Sequence, residues 1–281
     1  MWKILNLMMY GANCKINLGL NVVRKREDGY HELETVMLPV ERLMDIVEVD
    51  VEAGIKYRSI GNDVDCPVED NLCVRAARLM QERYGLYGAL VTLEKCVPFG
   101  AGLGGGSSDA AAVIRGMCET YGFRLDKSEL AALAAELGSD TPFFIYNTPM
   151  LCTGRGEIMT PIDINLVGLW LVIAKPAVGI STAEAYRGVT PSVPEVPLVE
   201  LLKRPIEEWQ GSVKNDFEPH IFAAHPEIKA IKDKLLDAGA VYASMSGSGS
   251  AVFGLFREQP QIEFADDIFV HIEQITQQYE E

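Results

Sequence analysis

Small residues are concentrated between Pro98 and Ser108, where the sequence reads PFGAGLGGGSS and five of the seven positions from 100 to 106 are glycine. A short apolar segment precedes this run, and an alanine-rich segment that we expect to be helical from Asp109 follows it. Glycine adopts positive φ without strain and lets the backbone approach a ligand closely. Because the first N–H groups of a helix lack intrahelical acceptors and carry partial positive charge, this order predicts a phosphate-binding loop.

Other interpretations of the glycine run are weaker. A Walker loop requires a lysine after its last glycine, and none follows here. The Rossmann spacing is met, but the acid at the required distance, Asp126, opens a predicted helix instead of ending a strand. The structural alternative is a turn capped by Ser108 or Asp109. So many glycines would give such a turn an entropic cost that it does not require.

Two further segments carry groups that could act on a phosphate. In residues 13–20, apolar and polar residues alternate, which predicts a strand with one buried face and with Lys15 and Asn17 together on the other face. Asp140 lies in a predicted tight turn before an apolar segment at 143–145 that we expect to be a strand. The structural alternatives are two solvated side chains on the strand and a simple turn cap at Asp140.

The run PFGAGLGGGSSDA resembles the ATP-binding motif of the GHMP kinases, a family of small-molecule kinases. The strand NCKINLGL and the turn REDGYH at 26–31 closely resemble one branch of it, the 4-diphosphocytidyl-2-C-methyl-D-erythritol kinases, except that Cys14 replaces a smaller residue. Similar segments extend to about Phe256. The resemblance implies an α+β, two-domain GHMP kinase fold. Its N-terminal ATP-binding domain (1–163) would be like ribosomal protein S5 domain 2, and its C-terminal substrate-side domain (164–281) would be ferredoxin-like.

The resemblance also implies roles for individual residues. Lys15 and Asp140 would be catalytic. ATP would be bound by the glycine loop and two further residues: Pro98, Phe99, Gly100, Ala101, Gly102, Leu103, Gly104, Gly105, Gly106, Ser107, Ser108, Asn71 and Lys95. The substrate and its cytosine ring would contact Asn17, Tyr30, His31, Thr182 and Tyr186. Structural alternatives remain for Asn71, as the N-cap of a helix, and for Tyr186, as a core residue of a capped helix.

The implied activity is transfer of the γ-phosphate of ATP, with Mg²⁺, to the 2-hydroxyl of 4-diphosphocytidyl-2-C-methyl-D-erythritol in the non-mevalonate isoprenoid pathway. Lys15 would lower the pKa of the acceptor hydroxyl, keep Asp140 ionised and attract the charge of the γ-phosphate. Asp140 would accept the hydroxyl proton or orient it. The alternatives are a family member acting on another alcohol, such as homoserine or mevalonate, and a nucleotide-binding regulator without catalysis. An aromatic cage built from Tyr30, His31 and Tyr186 favours the cytidine substrate over a small aliphatic one.

Composition narrows the remaining choices. The net charge of −15 over 281 residues argues against nucleic acid or anionic membranes as partners. No apolar run reaches the length of about 20 residues that a membrane-spanning helix needs. The six cysteines and four histidines lack the spacing of zinc ligands, so we expect no metal bound by them and reduced thiols. We therefore expect a cytoplasmic protein with a small-molecule substrate, as a monomer or weak homodimer.

Overall fold

The computed structural model describes residues 9–62 and 64–276. These residues divide into two compact units, neither of which is one continuous stretch of chain. The first unit contains the described residues up to Cys14 with Leu43–Phe99 and Gly104–Asn147, and the second contains Lys15–Arg42, Gly100–Leu103 and the residues from Thr148 onward. The domain boundary expected at residue 163 stays a prediction. Most of the first strand expected at the N-terminus lies outside the described residues.

The described residues form ten strands and eight α-helices. The strands are β1 Met9–Lys25, β2 His31–Val51, β3 Gly54–Gly61, β4 Gly88–Lys95, β5 Met150–Gly154, β6 Ile158–Pro161, β7 Trp170–Lys175, β8 Tyr242–Met245, β9 Val252–Phe256 and β10 Phe269–Gln274. The helices are α1 Leu72–Tyr84, α2 Gly105–Thr120, α3 Lys127–Ala135, α4 Phe143–Tyr146, α5 Thr182–Arg187, α6 Leu198–Leu202, α7 Glu218–Ala224 and α8 Pro226–Asp237. None of the described helices combines the length and the apolar character needed to cross a bilayer.

In the first unit, strand β4 pairs in parallel with β3 and antiparallel with residues 46–51 of β2. Helix α1 connects the two parallel strands and packs against α2. It begins where the sequence predicts, because the Asn71 side chain accepts a hydrogen bond from the Cys73 N–H at 2.9 Å. Gly85, at φ 63°, ends it. The β3–α1–β4 segment leads directly into the glycine loop.

The second unit contains an antiparallel sheet in the order β10–β7–β9–β8. Residues 33–37 of β2 pair with β5, which pairs with β6. Helices α7 and α8 contribute Ile221, Ile228 and Leu235 to a core that also includes Val172 and Phe256. Apolar residues recur at helical spacing in residues 228–238, and Gly239 follows them, which predicts an amphipathic helix there. Helix α8 confirms this prediction.

Three local features differ from the sequence-based expectation. Helix α2 begins at Gly105 instead of Asp109, because Gly104 adopts φ 71° and closes the loop one turn earlier. Residues 143–146 form the short helix α4, which Asn147 ends at φ 53°, and not a strand. Their apolar residues are consecutive instead of alternating, which left the choice between a strand and a buried helical turn open.

The third difference is the burial of β1 on both faces. Ile16 is fully buried as expected, but Lys15 and Asn17 on the opposite face are only 3% and 2% exposed. A buried ammonium and a buried amide need hydrogen-bond partners, since desolvating them without partners is unfavourable. These two side chains are therefore not simply solvated polar groups.

Candidate functional site

Residues 100–103, the first half of the glycine loop, belong to the second unit. Hydrogen bonds that their carbonyl groups accept hold them there. The Gly102 carbonyl accepts hydrogen bonds from Lys15 Nζ at 2.9 Å and from Ser246 Oγ at 3.0 Å. The Lys15 backbone N–H donates to the Leu103 carbonyl at 2.9 Å. Strand β1 thus binds the loop through both the main chain and the side chain of one residue. This explains how a buried lysine is satisfied on that face of the strand.

Gly102 approaches the serine–glycine loop at residues 246–250 more closely than a side chain would allow. At its φ of 73°, a Cβ atom would lie 2.1 Å from the Ser246 carbonyl oxygen and 3.0 Å from the Gly249 nitrogen. Gly100 also has positive φ, at 62°, but a Cβ there would meet nothing within 4 Å. The loop is therefore packed tightly at Gly102 and has open space beside Gly100.

Hydrogen bonds extend from Lys15 further into the second unit. Lys15 Nζ donates to Asn17 Oδ1 at 2.6 Å, and Asn17 Nδ2 donates to Thr35 Oγ1 at 2.9 Å. Thr35 Oγ1 donates in turn to the Gly19 carbonyl at 2.6 Å. The amide of Asn17 is thereby fixed with its oxygen towards the ammonium.

Asn215 holds the serine–glycine loop from its other side. Its Nδ2 donates to the carbonyl groups of Met245 and Gly247 at 2.8 and 2.9 Å. Neither Asn215 nor Thr35 is among the site residues predicted from the sequence. The signal for Asn215 was present, because it lies in a segment, VKNDFE, that resembles a family motif, but the motif alone assigned it no contact.

The second half of the glycine loop is the N-terminus of helix α2, in the first unit. The first backbone bond of the helix runs from the Ser108 N–H to the Gly104 carbonyl at 3.0 Å. The N–H groups of residues 105–107 therefore have no acceptor within the helix, and the helix dipole favours an anion there. Ser108 Oγ is buried and lacks a hydrogen-bond partner among the described residues. An orphaned hydroxyl beside open N–H groups fits a phosphate oxygen or its cation.

A buried charged cluster lies beneath this helix start. Lys95 Nζ donates to Asp109 at 2.9 Å and also to Asp45. Asp45 additionally accepts the N–H groups of Cys96 and Val97 at 2.6 and 2.7 Å, so three donors converge on this one carboxyl group. A Cβ at Gly105 would lie 2.9 Å from Lys95 Nζ, so the helix start rests directly on the ammonium.

The pKa values of the cluster follow from its burial. Burial raises the pKa of Asp109 to about 8, although Lys95 beside it favours the carboxylate. Burial opposes the charged form of Lys95, but the carboxylates of Asp109 and Asp45 outweigh it and raise the pKa of Lys95 to about 12. With a pKa of about 8, Asp109 is mainly protonated at neutral pH, while Lys95 remains an ammonium.

A cavity of about 220 Å³ adjoins the cluster in the first unit, and its wall is mainly apolar. Four residues predicted to bind the nucleotide line it: Asn71, Lys95, Phe99 and Gly106. Val64, Leu72 and Leu93 supply apolar surface. Asn71 is both the N-cap of α1 and a residue of the cavity wall, so its structural role is established while a nucleotide contact stays a prediction.

Aromatic residues predicted to bind substrate come together in the second unit. The rings of His31 and Tyr186 stack with centroids 4.8 Å apart and planes 19° apart. Phe217 supports Tyr186 in an edge-on contact at 4.9 Å. Tyr30 is 57% exposed and lies under the guanidinium of Arg155, with 4.9 Å between that group and the ring centroid.

Thr182 and Asp140 lie at a helix start and in a turn. Thr182 is the exposed first residue of α5, a helix capped by the Ser181 side chain. Asp140 is half-buried in a turn of the first unit, where its carbonyl accepts the Phe143 N–H at 3.2 Å. A catalytic role for Asp140 stays a prediction.

Two known family descriptions match this chain, one in each half of the sequence. The description "GHMP kinases N terminal domain" matches residues 71–148, and "GHMP kinases C terminal" matches residues 197–269. Together they cover more than half of the chain. The chain belongs to the GHMP kinase family.

Among GHMP kinases, this chain is similar to a 4-diphosphocytidyl-2-C-methyl-D-erythritol kinase of Parabacteroides distasonis, with 46% identity over 89% of this chain and 92% of the relative. A crystal structure of a 4-(cytidine 5'-diphospho)-2C-methyl-D-erythritol kinase superimposes with a TM-score of 0.76 and 37% identity over 88% of this chain and 90% of the other. A homoserine kinase from Cytophaga hutchinsonii has a TM-score of 0.74, but at 18% identity over 99% and 98% of the two chains it shows the fold alone.

Asp45 was not predicted as a site residue, although the pattern of its strand in this GHMP kinase chain marks it. It lies on β2 in the run Leu43, Asp45, Val47, Val49, whose alternate residues are all buried. A single acid on an otherwise apolar strand face indicates a buried charge that needs a partner. Its partner Lys95 was predicted to bind the nucleotide, and the ion pair was not foreseen.

Replacing Gly102 by alanine should disrupt the loop, because the added methyl group would overlap the Ser246 carbonyl and the backbone would be strained at positive φ. We expect a loss of several degrees in melting temperature and a weaker apparent affinity for ATP, measured by thermal unfolding and by KM. Gly100→Ala is the matched control, since it has a similar φ and no neighbour to overlap. Equal behaviour of the two variants would contradict the proposed close packing at Gly102.

The Asp109 cluster predicts a specific dependence of stability on pH. Because the folded pKa of Asp109, about 8, lies above the ordinary aspartate value of 3.8, the folded state binds the extra proton and its stability falls as pH rises through this range. Asp109→Asn should remove this contribution, so the unfolding free energy of the wild type relative to the variant should decrease from pH 5 to pH 8. Denaturant unfolding at several pH values measures it, with exposed Asp237→Asn as the control. Parallel curves for wild type and D109N would contradict the assignment.

Proposed function

We propose that this chain is an ATP-dependent kinase that phosphorylates the 2-hydroxyl of 4-diphosphocytidyl-2-C-methyl-D-erythritol. The observation that carries the proposal is the stacked pair of His31 and Tyr186, which offers an aromatic surface to a flat base in a chain of the GHMP kinase family. The relatives named for this substrate match about nine-tenths of the chain, which supports the same conclusion.

The nucleotide end of the reaction is supported by features of the first unit. The open N–H groups at the start of α2 and the orphaned hydroxyl of Ser108 suit phosphate oxygens and a cation bound to them. The apolar cavity beside Phe99 and Asn71 suits the adenine base. ATP would supply the transferred phosphoryl group, and Mg²⁺ would neutralise its charge with Ser107 and Ser108 as the nearest hydroxyl groups of the loop. Gly104 and the buried cluster at Lys95 keep these donors in place.

The acceptor end of the reaction is supported by features of the second unit. A cytosine ring presents a flat face for stacking and hydrogen-bonding groups at its edge. Tyr186 provides the face, and its edge-on contact with Phe217 fixes the ring before a ligand arrives. The imidazole nitrogens of His31 can bond the base edge. Tyr30 and Thr182, both exposed, are then available to the rest of the cytidine.

The chemical step requires a group that handles the hydroxyl proton and a cation that favours developing negative charge. We assign the first role to Asp140 and the second to Lys15. The ammonium of Lys15 is oriented by Asn17 Oδ1 and by the Gly102 carbonyl, so its position is set before substrate binds. Such preorganisation lets it act on charge that appears only in the transition state.

Replacing Asp140 by asparagine should lower kcat by about 10²- to 10⁴-fold if the carboxylate accepts the proton, since asparagine keeps the shape but not the basicity. Coupled assay of ADP release with 4-diphosphocytidyl-2-C-methyl-D-erythritol measures kcat and both KM values. Asp237→Asn removes an exposed carboxylate elsewhere and should leave kcat unchanged. A loss in D140N smaller than about tenfold would reduce Asp140 to an orienting group.

Substrate choice is tested at Tyr186. Tyr186→Leu should raise KM for the cytidine substrate by roughly 5- to 100-fold, because stacking of a base on an aromatic ring is worth about 1–3 kcal/mol. KM for ATP should change little. Tyr186→Phe keeps the ring and should retain most of the affinity. Turnover of homoserine or mevalonate by the wild type, or an unchanged KM in Y186L, would refute the cytidine assignment.

A further inference from the structure

A cavity in the second unit contains none of the residues assigned to catalysis or to substrate. Its volume is about 600 Å³, which is within the range of small-molecule sites. Its wall combines the segment 162–169 between β6 and β7 with α6, the turn that follows it and Arg257 after β9. The proposed kinase reaction gives this cavity no role.

Apolar side chains lie at the floor of the cavity, and polar groups contribute about as much of its accessible lining. Leu166, Leu169, Leu202 and Ile206 line it with buried side chains. Trp209 is 3% exposed, and its Nε1 donates to the Arg204 carbonyl at 3.0 Å. The indole also packs edge-on against Tyr242, with centroids 5.8 Å apart. A ring held by two contacts forms a pocket that exists before a ligand binds, so little ordering is lost on binding.

Three cationic side chains and one carboxylate, Asp163, line the same cavity. Lys203 pairs with Glu200 at 2.7 Å, and Arg257 pairs with Glu207 at 2.5 Å. Arg204 has no such partner within residues 9–62 and 64–276. The guanidinium of Arg204 is exposed and forms no ion pair with the residues that the structure describes, so it is available to an anionic ligand in the cavity.

We propose that this cavity binds an amphiphilic anion, with its hydrocarbon chain against Trp209 and the leucines and its oxyanion head on the guanidinium of Arg204. Burying the chain supplies most of the affinity because it removes apolar surface from water. The planar guanidinium can bond two oxygens of a phosphate or carboxylate at once, which places the head at the rim. The ligand is a soluble molecule that enters the cavity, and not a lipid held in a bilayer.

Octyl phosphate below its micellar concentration is the probe. Titration of the full chain should give a saturable change in tryptophan fluorescence and a one-to-one isotherm in calorimetry. Octanol has the chain without the head, and inorganic phosphate has the head without the chain, so neither should bind comparably at the same concentration. In Trp209→Phe the fluorescence change should be lost, whereas the calorimetric isotherm for octyl phosphate should persist.

Two variants test the location. Arg204→Gln should weaken binding about tenfold or more, since one charge-assisted hydrogen bond contributes at least that factor. Lys229→Gln removes an equally exposed cation from α8 and should leave the affinity unchanged. Val199→Trp, at the half-buried wall, should block the cavity. Equal affinity in wild type and R204Q would overturn the proposal, as would binding to anionic phospholipid vesicles without binding to octyl phosphate. Kinase turnover is measured separately, so the proposed function can fail or succeed independently.

Discussion

The carbonyl group of Gly102 is the point on which the arrangement of the second unit depends. It accepts the ammonium of Lys15 from strand β1 and the hydroxyl of Ser246 from the loop after β8. Segments that are 87 and 144 residues away in sequence therefore meet at one oxygen atom. Only glycine permits this contact, because the two backbones lie too close for a Cβ. The same contact decides where the ammonium points, so the packing of the loop and the orientation of Lys15 are a single requirement.

In the first unit, the start of α2 is held in position by hydrogen-bonded charged groups, whereas close backbone packing holds Gly102 in the second unit. The start of α2 rests on the Lys95 ammonium, and Asp45 ties that ammonium to the backbone of residues 96 and 97 at the entrance of the glycine loop. Apolar packing cannot by itself fix a helix terminus against a strand end with this directionality. Hydrogen-bonded charges can, although burying them costs desolvation energy. The result is a rigid donor array at the helix start, which binding a polyphosphate requires.

The extent to which the sequence predicts this structure depends on whether the signal is local. The caps at Asn71 and at Asp126 were predicted correctly because side chain and backbone partner lie within three residues of each other. The start of α2 was placed four residues too late, because a run of glycines contains no side chain that marks which residue closes the loop. Helix α4 at 143–146 was wrongly predicted as a strand because its apolar residues are consecutive and show neither helical nor strand periodicity.

For the site, motif resemblance predicts functional roles for the glycine loop, Lys15 and the aromatic residues, and these roles stay predictions. It did not predict how these residues are held. The contacts of Thr35, Asn215 and Asp45 join distant segments, so even where a short pattern marks the residue, as at Asp45, the sequence does not name its partner. The stacking of His31 on Tyr186 joins residues on strand β2 and helix α5 that have no local relation. Chemistry-bearing residues could be named from the sequence, whereas the groups that orient them required the fold.

The interleaved course of the chain has a consequence for its biosynthesis. The main-chain N–H of Val22 is satisfied by the carboxylate of Asp216, which is 194 residues further on. At a translation rate of about 5–20 residues per second, the ribosome needs roughly 10 to 40 s to supply that partner. During this interval the segment from Lys15 to Arg42 has already been synthesised, but the C-terminal residues that complete its unit have not. The second unit therefore cannot be completed until Asp216 has left the ribosome, so its folding is late relative to the synthesis of its first strand.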